Sequence, residues 1–96
     1  MTPEYFIKER SVLALIARKV LNTDSVAVVI NKTIYLSGVQ KSKFQEDAKW
    51  LKHELCHINQ YRQYGVFRFL FLYVVESFKH GYYNNRFEIE AREAEK

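Results

Sequence analysis

A stripe of apolar residues in the second half of the chain constrains the fold more than any other feature. Its members recur at intervals of three and four residues, which is the repeat of an α-helix. They are Phe44, Ala48, Leu51, Leu55 and Ile58. The pattern predicts a helix that begins near Ser42 and ends at Tyr64, where Gly65 is suited to the cap. The core of the domain is expected to form against this stripe.

Two histidines lie on the other side of the same predicted helix. His53 and His57 are four residues apart, so their side chains project one turn apart from one face, where two ring nitrogens can bind one metal ion. With Glu54 they complete the pattern His-Glu-x-x-His, in which the glutamate takes a proton from a metal-activated water without binding the metal itself. The alternative is an exposed helix with two surface histidines and no metal.

A third ligand is needed, because catalytic zinc usually has three protein ligands and one open position. No third histidine follows at a short spacing, and His80 lies beside a glycine that ends a helix. In the last predicted helix, Glu88 lies at the edge of the buried stripe, whereas Glu90 points to the opposite side. Glu88 is therefore the predicted third ligand of a Zn²⁺ ion and Glu90 the second choice. A capping box with Asn85 is the alternative role for Glu88.

Together these segments resemble the gluzincins, zinc metallopeptidases in which two histidines and a distant glutamate bind the metal. Residues Arg86 to Ala91 are similar to the Glu-x-x-Ala helix of CAAX-prenyl-protease-like enzymes and of short bacterial His-Glu-x-x-His domains, including repressor-cleaving ones. The resemblance covers about residues 44–96 and implies that Glu88, the first glutamate of the pattern, binds the metal. Such helices often have an acid or asparagine where this chain has Arg92. Glu90 or a backbone carbonyl is then expected to support the histidines.

The remaining segments predict a small α+β domain. Thr2 and Pro3 are typical of a helix start, and apolar residues at helical spacing continue that helix to about Leu21. Residues 26–30 and 33–36 are β-branched and apolar, and the two residues between them indicate a tight hairpin turn.

The C-terminal half is predicted to be helical throughout. Residues 66–79 are apolar almost all round, which predicts a central, buried helix, and Asn84 or Asn85 is suited to begin the last one. The predicted order is α-β-β-α-α-α. It describes four helices beside a two-stranded hairpin, with a zincin-like active-site helix, in one domain covering residues 1–96.

Composition limits the classes of partner. The chain has 15 basic and 11 acidic residues, and the basic ones form no cluster, so nucleic acid is not expected to be the partner. The longest apolar run, residues 66–75, is interrupted by Arg68 and is shorter than the roughly 20 residues that cross a bilayer. A buried helix is favoured there over one that lies on a membrane surface, and no transmembrane segment is expected.

The single cysteine bears on the cellular compartment of the protein and is expected to have only a minor structural role. Cys56 is the only cysteine, so no internal disulfide is possible, and it is expected to be a small packed side chain rather than a ligand or nucleophile. Because the first ten residues also lack the apolar core of a signal peptide, a cytoplasmic location is expected.

The predicted function is zinc-dependent hydrolysis of a peptide or protein substrate, with Glu54 as general base. Four residues before the proposed ligand helix are candidates for stabilising the oxyanion: His80, Tyr82, Tyr83 and Arg86. The alternative is a zinc-stabilised binding or regulatory domain that hydrolyses nothing. This alternative is considered because full zincins have a larger β-sheet with an edge strand along which the substrate binds. Only two strands are predicted here, so the cleft is expected to be incomplete. A plain helical scaffold with an accidental motif is the third interpretation.

Overall fold

The computed structural model describes residues 4–96, and within them it has three β-strands and five α-helices. In chain order they are β1 (Phe6–Lys8), α1 (Val12–Leu21), β2 (Val26–Ile30), β3 (Thr33–Ser37), α2 (Lys41–Glu46), α3 (Ala48–Tyr64), α4 (Val66–His80) and α5 (Arg86–Ala94). The α+β class and the mainly helical content agree with the sequence prediction. The numbers of helices and strands do not, since each is one higher than predicted.

The first predicted helix is wrong in its N-terminal half. Residues Phe6–Lys8 form β1, which pairs in parallel with β3. The chain then turns at Arg10, whose φ is +52°, and α1 begins after Ser11, whose hydroxyl accepts a hydrogen bond from the backbone N–H of Ala14 at 3.2 Å. A three-residue strand is too short for an alternating pattern, and its pairing partner lies far along the chain. The predicted start at Thr2-Pro3 lies outside the described residues.

The predicted hairpin is confirmed as β2 and β3. These strands pair antiparallel, and Asn31 in the turn between them has a φ of +57°, a left-handed conformation that asparagine tolerates well. The order of strands in the sheet is β1-β3-β2. Strand β2 therefore lies at one edge of the sheet, and no other strand of the described residues pairs with its outer side.

The core lies between the sheet and α3. Ile34 and Leu36 of β3 pack with Phe44 and Ile58, and all four side chains are fully buried. The long helix predicted from Ser42 is divided into α2 and α3, because the carboxylate of Asp47 accepts a hydrogen bond from the backbone N–H of Trp50 at 3.0 Å and caps a new helix.

Helix α4 is not the central helix that its composition predicts. It contributes Phe69 to a second buried cluster with Tyr61 of α3 and Phe87 of α5. Its opposite face, with Phe67 and Phe71, is exposed, because the other described elements cover only one side of the helix. In residues 4–96 no helix combines the length and apolar character needed to cross a membrane.

Candidate metal centre

Helices α3 and α5 bring His53, His57 and Glu88 together. The Nε2 atom of His53 lies 3.0 Å from Oε1 of Glu88, and Nε2 of His57 lies 3.2 Å from Oε2 of the same carboxylate. The three potential ligand atoms all lie within 4.8 Å of one another. One carboxylate from a distant helix therefore faces both rings of the histidine pair.

Asn85 and Glu76 hold the beginning of α5 in place. The side chain of Asn85 is fully buried; its Oδ1 accepts from the N–H of Phe87, and its Nδ2 donates to the carbonyl of Tyr73 and to Ser77 Oγ in α4. The carboxylate of Glu76 accepts a hydrogen bond from the N–H of Arg86. Because both contacts come from α4, the first turn of α5 is positioned against that helix.

Glu88 does not form the capping box considered above. The N–H of Asn85, which a capping box would satisfy, donates instead to the carbonyl of Tyr82 at 3.3 Å. Both carboxylate oxygens of Glu88 face inward, and Oε2 also accepts a hydrogen bond from the hydroxyl of Tyr73 at 2.5 Å. The carboxylate is thus directed by its neighbours towards the histidines.

The other ring nitrogen of each histidine is already engaged. His53 Nδ1 donates to Glu95 Oε2 at 2.7 Å, and His57 Nδ1 donates to Gln60 Oε1 at 2.8 Å. With a proton on each Nδ1, both rings present Nε2 to Glu88. Contacts of this kind determine which nitrogen of a histidine is available to a metal.

Gln60 is itself held in one orientation. Its Nε2 donates to the carbonyl of Phe87 at 3.1 Å and to Oε1 of Glu90 at 2.8 Å, so its oxygen must face His57. Glu90, the second choice as ligand, therefore contacts Gln60 and is not one of the three converging residues. The expectation that Glu90 or a carbonyl would contact a histidine directly is wrong, because Glu95 and Gln60 take those positions.

The donor set fits a zinc ion. Two imidazole nitrogens and one carboxylate oxygen suit zinc, and ligand atoms around a tetrahedral ion are about 3.3 Å apart. In the structure, each Nε2 is paired with a different oxygen of Glu88, and the potential ligand atoms of the three residues lie within 4.8 Å of one another. A fourth position would remain for water or substrate.

The charges of the cluster are coupled. Burial alone would raise the pKa of the Glu88 carboxyl, but hydrogen bonds from His53, His57 and Tyr73 outweigh burial and hold that pKa well below its usual range. Burial works against a charged imidazole, yet the contacts with Glu88 raise the pKa of His53 to about 9 and also raise that of His57. The carboxylate is therefore ionised at neutral pH and suited to a cation.

Glu54 is buried beside the histidines without joining the three converging residues. Burial raises the pKa of its carboxyl to about 7, although the neighbouring His57 and His53 act in the opposite direction. A carboxylate with a pKa near neutrality can both accept and release a proton under ordinary conditions.

A cavity of about 290 Å³ opens over the cluster. Its polar lining includes His53, Glu54, His57 and Glu88, and strand β2 forms one wall. Tyr82 also lines this cavity, in contrast to the three other residues considered for the oxyanion. Of these, Tyr83 lies under the guanidinium of Arg92, Arg86 lies over the ring of Phe87, and His80 is exposed at the end of α4.

Cys56 lies outside the group formed by His53, His57 and Glu88. Its Sγ is 3.7 Å from both Glu90 Oε1 and Gln60 Nε2. Burial, with the charge of Glu90, raises the pKa of the thiol to about 12. The thiol is therefore neutral at ordinary pH, which does not favour a nucleophilic role.

Three residues of the site have only weak signals in the sequence. Gln60 follows His57 by three residues, which is the spacing of side-chain neighbours on a helix, and Glu95 follows Glu88 by seven, which returns it to the same side of α5. Tyr73 lies four residues after buried Phe69 on α4. None of these spacings identifies the partner on another helix.

Comparison of the chain with models of protein families, with curated proteins and with solved structures finds no match. The functional interpretation therefore depends on the chain's own residues and their geometry.

Proposed function

We propose that this domain is a zinc-dependent peptide hydrolase of the gluzincin type, with His53, His57 and Glu88 as metal ligands and Glu54 as general base. The observation that carries the proposal is the meeting of both Nε2 atoms at the carboxylate of Glu88, with each Nδ1 already bonded to another side chain. In such an arrangement two imidazole nitrogens and one carboxylate, all potential metal ligands, are directed at one point.

When bound there, zinc would lower the pKa of a water and polarise the scissile carbonyl. The protein's part in the reaction falls to Glu54, which accepts the proton of the attacking water and later donates it to the leaving amine. Its carboxyl is buried beside both histidines and lines the cavity, so it is close to where the attacking water would bind.

The edge of β2 gives a polypeptide substrate a place to bind. Residues Val26–Ile30 line the cavity, and an extended peptide can add to a sheet edge through backbone hydrogen bonds. One acceptor of this strand, the carbonyl of Val29, already accepts from the hydroxyl of Tyr61 at 2.9 Å. The strand is short, so we expect it to bind only a few residues of the substrate.

Tyr82 is the proposed donor to the oxyanion, because its side chain lines the cavity. We expect Tyr82→Phe to reduce kcat by about a hundredfold while zinc remains bound, since one oxyanion donor is worth about this factor. Tyr83→Phe is the matched control and should leave kcat near that of the parent. Equal effects of the two substitutions would contradict the assignment.

The metal site is tested by elemental analysis of the purified protein. We expect one zinc per chain, and loss of that zinc in His53→Ala and in Glu88→Ala. His80→Ala is the control, because His80 lies outside the cluster and should not affect the zinc content. A parent protein that binds no zinc when supplied with it would show that the motif is accidental.

Hydrolysis is tested separately with Glu54→Gln and a mixture of fluorogenic peptides. We expect this variant to keep its zinc and to lose peptide cleavage, because the amide cannot act as a base. Stoichiometric zinc in a parent protein that cleaves none of the peptides would favour a zinc-stabilised binding or regulatory domain instead.

A further inference from the structure

The exposed face of α4 is strongly apolar. Phe67, Phe71 and Phe78 are 87%, 68% and 93% exposed, and Val74 between them is also exposed. These residues follow one another at intervals of three and four, so they form one stripe along the helix. Buried Phe69 lies on the opposite side, where α4 packs against the domain.

Helix α1 carries a second exposed apolar stripe, and both helices border the cavity over the metal cluster. Leu13 and Leu21 of α1 and Leu70 of α4 line that cavity and are themselves partly exposed. The exposed apolar residues of the two helices are called the apolar rim below. They are Val12, Leu13, Ile16, Val20 and Leu21 in α1 and Phe67, Leu70, Phe71, Val74 and Phe78 in α4.

The exposed phenylalanines of α4 form a large apolar surface. The three phenylalanines alone expose roughly 500 Å², taking about 200 Å² for each ring. The largest apolar patch of a typical soluble monomer measures about 300–600 Å², and larger ones mark contact surfaces. The phenylalanines of α4 alone therefore reach the upper part of that range, before the exposed Leu70 and Val74 are added.

Positive charge borders the apolar rim. Helical geometry places Arg68 and Lys79 beside the α4 stripe and Lys19 beside the α1 stripe. Helix α1 contains no acid, and the only acid of α4, Glu76, accepts a hydrogen bond from the backbone of Arg86. The rim is therefore an apolar surface with cations at its margin and no exposed acid within it.

We propose that the apolar rim binds the surface of an anionic lipid bilayer. Phenylalanine side chains would enter the boundary between headgroups and acyl chains, and the bordering cations would contact anionic headgroups.

A second copy of the chain fits the rim less well than a lipid surface does. A symmetric dimer through this face would bring Lys19, Arg68 and Lys79 of one copy near the like charges of the other. An anionic surface instead complements the cations.

The test is sedimentation of the purified chain with phosphatidylcholine vesicles that either contain phosphatidylserine or lack it. We expect binding to the anionic vesicles, weaker binding to the neutral ones, and release as salt is added. The double variant Phe67→Ser/Phe78→Ser should lower the partition coefficient about tenfold or more, because two exposed rings no longer enter the lipid. Arg68→Glu/Lys79→Glu should also bind less.

Matched variants away from the rim are the controls. Phe6→Ser removes an exposed phenylalanine from β1, and Lys43→Glu reverses a charge in α2; both should bind vesicles as the parent does. All substituted side chains are exposed, and circular dichroism verifies that each variant is folded.

Three results would overturn the proposal: no sedimentation with anionic vesicles, equal binding to neutral vesicles, or unchanged binding by Phe67→Ser/Phe78→Ser. A dimer in analytical ultracentrifugation that this double variant dissociates, without vesicle binding, would assign the rim to a second copy. Vesicle binding is measured without any peptide substrate, so its outcome is independent of whether the domain hydrolyses peptides.

Discussion

At the scale of single residues, the site depends on which nitrogen of each histidine faces Glu88. Glu95 and Gln60 engage the two Nδ1 atoms, while Tyr73 contacts Glu88 from the side of α4. These three residues bind no metal in the proposed arrangement. They determine the directions in which the ligands point, and metal affinity commonly depends on such contacts.

Gln60 offers the clearest test of this idea. We expect Gln60→Ala to weaken zinc binding by roughly 10–100-fold, because His57 then loses the acceptor that keeps its Nε2 free for the metal. Competition with a chromophoric chelator measures the affinity. Gln63→Ala, an exposed change on the same helix, should leave the affinity unchanged; a similar loss in both variants would contradict a specific role for Gln60.

At the scale of elements, the site depends on the packing of α5 against α3 and α4. Phe87 packs in the buried cluster with Tyr61 and Phe69. The side chain of Asn85 forms hydrogen bonds that connect the start of α5 to the last turns of α4. Glu88 follows directly after Phe87. The orientation of its carboxylate is therefore set by the same contacts that hold the helix.

Asn85→Ala should loosen this attachment. The change removes a helix cap and leaves the carbonyl of Tyr73 and the hydroxyl of Ser77 without their donor, so we expect a loss of about 2 kcal/mol or more in the free energy of unfolding. Zinc affinity should fall with it. Urea denaturation measures the stability, and Asn84→Ala at the exposed neighbouring position should change it by no more than about 0.5 kcal/mol.

At the scale of the whole molecule, the buried charges connect metal binding to the stability of the fold. The pKa of His53 is 6.5 in the unfolded chain and about 9 in the folded one. Between these two pH values the folded protein therefore retains a proton on His53 that the unfolded chain releases. The resulting stabilisation is complete below pH 6.5 and is lost as the pH rises through about 9.

We expect the melting temperature of chelator-treated protein to fall between pH 6.5 and about 9. The raised pKa of His57 acts in the same direction, because the folded state holds a proton longer at this position as well. The raised pKa of Glu54 has the same sign, but its effect falls mainly between pH 4.5 and about 7. Zinc binds neutral imidazoles, so the difference in melting temperature between zinc-loaded and chelated protein should widen over the same range.

Thermal unfolding followed by circular dichroism, with and without chelator, measures both trends. His80→Gln is the control and should show the same dependence on pH as the parent, because His80 lies outside the cluster. A chelated protein that becomes more stable as the pH rises through this range would contradict the predicted charge state of the cluster.

Local patterns predicted part of this molecule well. The β2–β3 hairpin follows from two apolar segments and a two-residue turn, and the cap of α5 follows from an asparagine before a helical stripe. Strand β1 and the break at Asp47 were missed, because each depends on one short contact. The burial of α4 was overestimated. An apolar composition shows that a helix is suited to burial, but whether other elements of the fold cover it depends on the tertiary structure.

The sequence by itself determined the positions of His53, Glu54 and His57 relative to one another, since residues one and four apart on a single helix have a known geometry. It also selected Glu88 over Glu90, because the buried side of α5 follows from its apolar residues. Only the tertiary structure decided that Glu95, Gln60 and Tyr73 complete the site and that the face of α4 bearing Phe67, Phe71 and Phe78 is exposed. These contacts depend on how three helices pack together, and that packing is the sum of many side-chain contacts between distant parts of the chain.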